Sequence, residues 1–242
     1  MNLLIKSAKV IDPNSKYHNK IMDILIENGK IKKISKSIKE KKEINFSANN
    51  LHISPGWFDL HANFCEPGFE QSETLLSGSA SAAKGGFTNI MIMPNTKPKI
   101  DNKGMIKYIL DYNKNNIINL FPAGNVTKNA EGKEIVEMHD MHNAGCLAFT
   151  DDKKSISRSD VLKIAMLYAK DSNSLIMNFP NDKKISNNGT INEGKFSTSL
   201  GLKGIPSIAE ELMVDRDITL TEYTNARIHL SYLSTKNSIK KL

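Results

Sequence analysis

The feature that most constrains the fold is a regular alternation of apolar strands and helices that begins near residue 53. One helix candidate lies between each pair of neighbouring strand candidates. This rhythm is typical of βα units, which pack as a parallel sheet covered by helices. The strand candidates are 53–61, 87–93, 117–123, 145–150, 174–179 and 227–233, and the helix candidates are 72–85, 102–114, 132–143, 157–171 and 206–224. The sequence therefore predicts an α/β fold.

Two parallel architectures share this rhythm, the doubly wound sheet and the (β/α)8 barrel. No Gly-x-Gly-x-x-Gly motif follows the first strand candidate, although many doubly wound nucleotide-binding domains carry one there. Polar residues instead follow nearly every strand candidate, and barrel enzymes place their sites at the carboxyl ends of several strands. We expect residues 55–242 to form an incomplete (β/α)8 TIM-type barrel with about six strands, part of a longer protein, because eight strands close such a barrel.

Residues 1–54 show a different pattern, in which short apolar strands alternate with turns. Asn28 and Gly29 lie between two apolar runs, and this dipeptide favours a tight hairpin. We expect a small β unit before the barrel, and an independent β-meander is one interpretation of it.

The first strand candidate ends in polar side chains that can bind metals. Asp59, His61, Asn63 and Cys65 recur at every second position. In a strand this period points side chains to one face, so a single strand could present all four together.

The stretch from Asp59 through Glu66-Pro67-Gly68 resembles the first barrel strand of dihydroorotases and related cyclic amidohydrolases. Their pattern is Asp-x-His-x-His-x-Arg-Glu-Pro-Gly, in which the two histidines bind metal and the arginine binds the substrate carboxylate. Here Asn63 replaces the second histidine and Cys65 replaces the arginine. The resemblance implies a zinc-dependent hydrolase of pyrimidine biosynthesis that interconverts carbamoyl aspartate and dihydroorotate. It also implies that residues 1–54 are the amino-terminal half of a flanking β-sandwich.

Other stretches extend the resemblance over essentially the whole chain. Asn95, in Met-Pro-Asn-Thr, matches a substrate-binding asparagine. Asp151, in Phe-Thr-Asp-Asp, matches an aspartate that contacts metal at the end of the fourth strand, and we assign it the catalytic role. Two further metal histidines are replaced by Asn178 and Tyr232.

The metal ligands left by these replacements are His61, Asp151 and, as a helper, Asp59. A catalytic zinc normally has three protein ligands, so we expect zinc binding to be weak or absent. Asn63, Asn178 and Tyr232 should fill one space at the barrel mouth.

Simpler roles compete for several of these residues. His61 could be a hydrogen-bonded core histidine, and Asp151 with the next aspartate could cap the following helix. Cys65 could supply a thiolate ligand or be a buried thiol. His139 and His142 are spaced to bind metal, but a helix surface explains them equally simply.

Composition bears on location and partners. The formal net charge is +7, but only Arg158, Arg216 and Arg227 are arginines and the lysines are scattered. Phosphate recognition favours arginine forks and clustered basic faces, so we expect no nucleic-acid partner. No apolar run of about 18 residues and no signal peptide occur, which predicts a cytoplasmic protein without a membrane partner. Cys65 and Cys146 predict free thiols.

Three functions fit these observations. The first is a dihydroorotase that acts on a small cyclic amide. The second is a catalytically silent relative that serves as a structural partner of aspartate carbamoyltransferase or associates with itself. The third is a hydantoinase or allantoinase type, which Asp151 and the Met93-Pro-Asn-Thr96 stretch disfavour.

Overall fold

The structure is a computed structural model that describes residues 2–40 and 44–242. Residues 1 and 41–43 belong to the predicted amino-terminal segment and lie outside the described part. The chain divides into two compact units, and the division falls between Trp57 and Phe58. The sequence places this boundary slightly earlier, between residues 54 and 55.

The amino-terminal unit contains a five-stranded sheet within the described residues. Its strands are β1 (Asn2–Val10), β2 (Ile21–Glu27), β3 (Lys30–Ser35), β4 (Ile44–Phe46) and β5 (His52–Ile53). β2 and β3 form the predicted hairpin, whose turn residues Asn28 and Gly29 have positive φ angles of 52° and 73°. β1 is antiparallel to β2 but parallel to β4 and β5, so the unit is not a plain meander.

The carboxyl-terminal unit alternates strands and helices, and every predicted strand and helix is present. Its strands are β6 (Trp57–Ala62), β7 (Phe87–Ile92), β8 (Asn119–Pro122), β9 (Ala148–Phe149), β10 (Leu175–Asn178), β11 (Ile191–Asn192), β12 (Gly204–Ile205) and β13 (Arg227–Leu230). Its helices are α1 (Leu75–Lys84), α2 (Lys103–Tyr112), α3 (Met138–Asn143), α4 (Ser159–Asp171), α5 (Lys183–Ser186), α6 (Lys195–Ser199), α7 (Ile208–Thr224) and α8 (Lys236–Lys240). The predicted α/β class is confirmed.

The observed elements differ from the predicted ones mainly in length. α3 begins at Met138 rather than at residue 132, and the segment before it contains an isolated bridge between Thr127 and Ile135. The short strands β11 and β12 pair in parallel and were not predicted. Two-residue strands carry too little periodicity to be recognised in a sequence.

The other strands of this unit lie in two three-stranded sheets, β6-β7-β8 and β9-β10-β13. β7 is parallel to β8, and β10 is parallel to both of its neighbours. An isolated bridge between Gly124 and Phe149 joins the sheets, and we call this junction the seam. The Gly124 N–H donates to the Ala148 carbonyl at 3.0 Å, and the Thr150 N–H donates to the Gly124 carbonyl at 2.8 Å. The seam places the ends of β8 and β9 side by side.

Helices cover the sheets through apolar faces. Buried residues of α4 recur at spacings of one, three and four, which places them on one face: Val161, Leu162, Ala165, Met166 and Ala169. They belong to one core cluster with Phe149 and Ile176 from the strands. No helix in the described part of the chain is both long enough and apolar enough to cross a membrane.

Candidate functional site

A group of polar side chains lies where four strands end. His61 is near the end of β6, Asn95 follows β7, Asp152 follows β9 and Tyr232 follows β13. Side-chain hydrogen bonds link these four residues, and we call them the strand-end cluster.

His61 is the centre of the strand-end cluster. Its Nε2 lies 2.6 Å from Oδ1 of Asp152 and 2.5 Å from the hydroxyl oxygen of Tyr232. The same hydroxyl lies 3.0 Å from Oδ1 of Asp152, so the three atoms form a closed triangle. The two rings meet edge to face with their centroids 5.0 Å apart. The hydroxyl of Tyr232 therefore lies against both the imidazole and the carboxylate, which also contact each other directly.

Asn95 connects this triangle to Asn63. The Nδ2 of Asn95 donates to Oδ2 of Asp152 and, at 2.9 Å, to Oδ1 of Asn63. The predicted substrate-binding asparagine thus lies in the cluster with its amide donors in use. Its role in binding a substrate stays a prediction.

The cluster shifts the ionisation of Asp152 and Tyr232 in opposite directions. Burial raises the pKa of Asp152, but hydrogen bonds from His61, Asn95 and Tyr232 outweigh burial, and the pKa ends below its usual value. Burial, together with the hydrogen bond to Asp152, raises the pKa of the Tyr232 hydroxyl. Near neutral pH the cluster therefore holds a carboxylate beside a neutral phenol.

The sequence assigns the fourth-strand carboxylate of the site to Asp151, whereas in the structure the aspartate that contacts His61 is Asp152. The Asp151 carboxylate accepts hydrogen bonds from the backbone N–H groups of Val126 at 3.0 Å and Thr127 at 3.1 Å, and from the Thr127 hydroxyl. Burial raises the pKa of Asp151, and these hydrogen bonds oppose the rise. Asp151 anchors the loop after β8, whereas Asp152 contacts His61.

The choice between the two aspartates depends on backbone conformation. Asp152 has a φ of +52°, which lies in the left-handed region and changes the direction of its side chain relative to an extended strand. A sequence pattern treats the two neighbouring aspartates alike. The helix-cap interpretation of this pair is also wrong, because α4 begins after Arg158 and no side chain caps its first turn.

Asp59 is not placed as a metal ligand. Its Oδ1 accepts a hydrogen bond from the backbone N–H of His61 at 2.9 Å. Asp59 therefore holds the end of β6 and positions the histidine, which is a structural role.

Asn178 faces away from the strand-end cluster, contrary to prediction. Its Nδ2 donates to Oδ2 of Asp217 at 2.6 Å. Asp217 is fully buried in α7, and its Oδ1 accepts hydrogen bonds from Arg216 at 2.9 Å and 2.6 Å. Of the three residues expected to fill one space, Tyr232 belongs to the cluster, Asn63 is joined to it through Asn95, and Asn178 is bonded to a separate buried ion pair.

The loop after β6 is built by the residues that follow Cys65. The Cys65 thiol points back to the Asn63 carbonyl, 3.7 Å away. Glu66 accepts hydrogen bonds from the Leu75 N–H at 2.7 Å and from the Tyr108 hydroxyl at 3.1 Å. Gly68 has a φ of +102°, and a Cβ there would lie 2.2 Å from the Lys97 carbonyl oxygen. Glu66 and Gly68 therefore shape the loop. The hydrogen bond of the Cys65 thiol goes to the Asn63 backbone and not to a member of the strand-end cluster.

His139 and His142 are not joined at a metal site. His142 Nδ1 lies 3.2 Å from the Cys146 carbonyl oxygen, while the exposed His139 ring packs 5.3 Å from the ring of Tyr168. The helix-surface interpretation accounts for the pair.

The donor atoms of the strand-end cluster do not fit a zinc ion. Zinc is held by imidazole, thiolate and carboxylate ligands, normally three of them at a catalytic site. Here His61 and Asp152 supply two such groups, which contact each other directly, and the Tyr232 hydroxyl contacts both. Within residues 2–40 and 44–242, no three His, Cys, Asp or Glu residues are grouped to hold a metal ion. The two donors alone fall short of a catalytic site.

Comparisons with known sequences point to one family. Residues 51–238 match the family described as Dihydro-orotase-like. The chain is 39% identical to a dihydroorotase from Geobacter sulfurreducens over 242 residues, which cover 99% of this chain and 57% of that protein. It is 41% identical to a dihydroorotase from Acetivibrio thermocellus over 239 residues, which cover 98% of this chain and 56% of that protein. The chain thus spans just over half the length of these curated relatives.

Solved structures show the same fold at lower sequence identity. An L-hydantoinase from Arthrobacter aurescens superposes with a TM-score of 0.76 at 18% identity, over 99% of this chain and 55% of that one. A dihydroorotase crystal structure superposes with a TM-score of 0.56 at 15% identity, over 95% of this chain and 64% of that one.

Proposed function

Since this chain belongs to the dihydroorotase-like family, we propose that it is a non-catalytic member of that family, with a structural rather than a hydrolytic role. The observation that carries the proposal is the position of the Tyr232 hydroxyl, 2.5 Å from His61 Nε2 and 3.0 Å from Asp152 Oδ1. A neutral phenol in that place satisfies both groups by hydrogen bonding. The polar strand ends are then stable without a metal ion.

Metal-dependent hydrolysis of a cyclic amide needs an activated water and an oriented substrate, and both are weakened here. Water activation relies on a bound metal that lowers the pKa of water, and the cluster offers two suitable ligands. Orientation of the substrate carboxylate by an arginine is lost at Cys65. The remaining polar partner, Asn95, donates to Asp152 and Asn63 instead.

The structural role that we propose is assembly with another protein, either aspartate carbamoyltransferase or a second copy of this chain. Leu212 and Tyr223 on α7 and Ile239 on α8 are each more than half exposed, and we propose these two helices as the contact surface. We place the protein in the cytoplasm, where pyrimidine synthesis would require it.

We infer that the two three-stranded sheets are the first six strands of a barrel and that the amino-terminal unit is half of a flanking sandwich. The order β6-β7-β8 followed across the seam by β9-β10-β13 supports the first inference. The mixed parallel and antiparallel pairing of β1 is compatible with the second.

The deciding experiment measures zinc content and dihydroorotate hydrolysis in the wild-type chain and in designed variants. The wild type should retain less than one zinc per chain after dialysis and show no hydrolysis above background. A double variant, Asn63→His and Tyr232→His, adds imidazoles at the strand-end cluster and beside it. A triple variant adds Cys65→Arg, because orientation contributes about 7 kcal/mol or more to such reactions separately from water activation.

A matched control double variant places histidines at exposed asparagines: Asn14→His and Asn237→His. It should bind no more zinc than the wild type. Robust hydrolysis by the wild type would refute the non-catalytic role. A designed double variant that folds but binds no more zinc than the control double variant would count against the proposed placement of the ligands.

Hydantoinase-type hydrolysis is a second candidate, favoured by the TM-score of 0.76 to an L-hydantoinase. It shares the need for activated water, so the same variants test it. Hydantoin cleavage by the wild type, without dihydroorotate cleavage, would favour this candidate.

A further inference from the structure

A cavity of about 310 Å³ lies next to the strand-end cluster, between the loops that follow β9, β10 and β13. Its walls are largely apolar and include Phe179, Pro180, Ile205 and the ring of Tyr232. Phe179 and Tyr232 meet edge to face with their ring centroids 5.6 Å apart. The walls therefore suit an apolar, flat molecule of small size.

Lys153 and Glu210 both line the cavity, and they differ in whether they can bind a ligand. The Lys153 Nζ lies 5.8 Å from the centroid of the Tyr232 ring, and Lys153 forms no ion pair with any residue in the described part of the chain. Among the residues that line the cavity, Lys153 is the cation and Glu210 is the carboxylate.

Glu210 also lines the cavity, but its carboxylate is fully engaged. Its two oxygens accept four hydrogen bonds, from the N–H and hydroxyl groups of Ser234 at 2.9 Å and 2.8 Å and of Thr235 at 3.0 Å and 2.9 Å. Burial raises the pKa of Glu210, but hydrogen bonds from Ser238, Ser234 and Thr235 outweigh burial and leave the pKa below its usual value, so the group stays ionised. Lys153 is thus the charge that an incoming ligand would meet.

We propose that this cavity is a binding site for a small organic carboxylate with an apolar body. The carboxylate contacts the ammonium group of Lys153, and the body packs against Phe179 and Tyr232. Asn181 and Asn192 also line the cavity and can donate additional hydrogen bonds. A phosphate ester is a poorer match, because the cavity lining contains no arginine and no glycine-rich loop.

This site is independent of the proposed non-catalytic role. The ligand contacts the ring of Tyr232 on the side of Phe179, whereas the hydroxyl of Tyr232 remains with His61 and Asp152. Binding therefore needs neither a metal ion nor hydrolysis.

Titration of the full chain with benzoate and with benzamide, followed by NMR of the backbone amides, tests the proposal. The two probes have nearly the same shape and differ in charge. Benzoate should bind more tightly than benzamide by up to about fivefold, as expected for one partly exposed ion pair. The perturbed amides should include those of Lys153 and Phe179.

Variants locate the site and the charge. Lys153→Met should reduce benzoate affinity to that of benzamide and leave benzamide binding unchanged, while Lys84→Met, on α1, should change neither. Ser207→Phe should fill the cavity and abolish binding of both probes, and its thermal melt shows whether it folds. Equal affinities for the two probes, undiminished benzoate binding in Lys153→Met, or no binding of either probe would overturn the proposal.

Discussion

The hydroxyl oxygen of Tyr232 lies 2.5 Å from Nε2 and 3.3 Å from Nδ1 of His61, so one phenol covers an entire edge of the imidazole. The two residues are 171 positions apart in the sequence. Their contact joins β6 to the loop after β13. The strands β6 and β13 belong to different sheets. The strand-end cluster therefore acts as a cross-link between the two sheets, in addition to the seam.

Removing only the Tyr232 hydroxyl should weaken this cross-link. Tyr232→Phe keeps the ring and deletes hydrogen bonds to His61 and Asp152, so we expect a loss of about 1 to 3 kcal/mol in the free energy of unfolding. Urea denaturation measures it. Tyr223→Phe is the control, because Tyr223 is 74% exposed, and should leave the urea midpoint unchanged. Equal midpoints for the two variants would contradict the role of the hydroxyl.

The lowered pKa of Asp152 predicts a specific loss of stability in acid. A carboxylate with a folded-state pKa below its unfolded value of about 3.9 stabilises the fold above that unfolded value. The contribution is lost as the pH falls through the folded-state pKa. Asp152→Asn should therefore be less stable than the wild type at pH 7, and the difference should shrink below about pH 4.

The buried Asp151 and Asp217 change the pH dependence of stability in the opposite direction, because burial raises the pKa of each. Both residues are present in the wild type and in Asp152→Asn, so their contributions cancel in the difference between the two stability curves. Urea denaturation from neutral to acid pH gives both stability curves. Parallel curves would show that Asp152 is not an ionised partner of His61.

Loss of the charge at Asp217 should be strongly destabilising. Asp217→Asn leaves Arg216 without its buried counter-ion, and breaking such a pair costs about 3 kcal/mol or more. Asp160→Asn removes the partner of Arg158 in an exposed pair and should not measurably shift the denaturation midpoint. Similar midpoints for the two variants would contradict the buried pairing.

A side chain at Gly68 should disrupt the loop after β6. Gly68→Ala requires an unfavourable positive φ and also brings Cβ within 2.2 Å of the Lys97 carbonyl oxygen. Gly132 has a φ of +72°, and a Cβ added there would meet no atom within 4 Å, so Gly132→Ala reports the cost of φ alone. We expect the Gly68 variant to melt at a clearly lower temperature, and equal melting temperatures would show that the close approach is unimportant.

The sequence predicts the parts of the site that depend on strand periodicity. The ends of β6 and β7 follow directly from their apolar patterns, so His61 and Asn95 are correctly expected at strand ends. The same patterns predict six strands and five helices in the right order. Their ends shift by a few residues, as at α3.

The parts that were missed depend on backbone angles or distant partners. Asp152 replaces Asp151 because of one positive φ angle, which no pattern of residue types reveals. Asn178 turns away because its partner Asp217 lies 39 positions later, on a helix where a buried carboxylate has no periodic signature. Lys153 gains its position over the cavity only once the loops after β9 and β13 meet.

The seam also has a mechanical consequence. A Cβ at Gly124 would lie 2.4 Å from Met141 Cε and 3.1 Å from both Cys146 Sγ and Phe149 Cδ1, so this residue has no room to grow. The main-chain hydrogen bonds that Gly124 makes between the sheets therefore depend on a residue without a side chain. If the two sheets were pulled apart, these bonds and the Tyr232 contact would have to break together with the apolar core that both sheets share. Resistance to such a force would then come jointly from the backbone junction and the shared core.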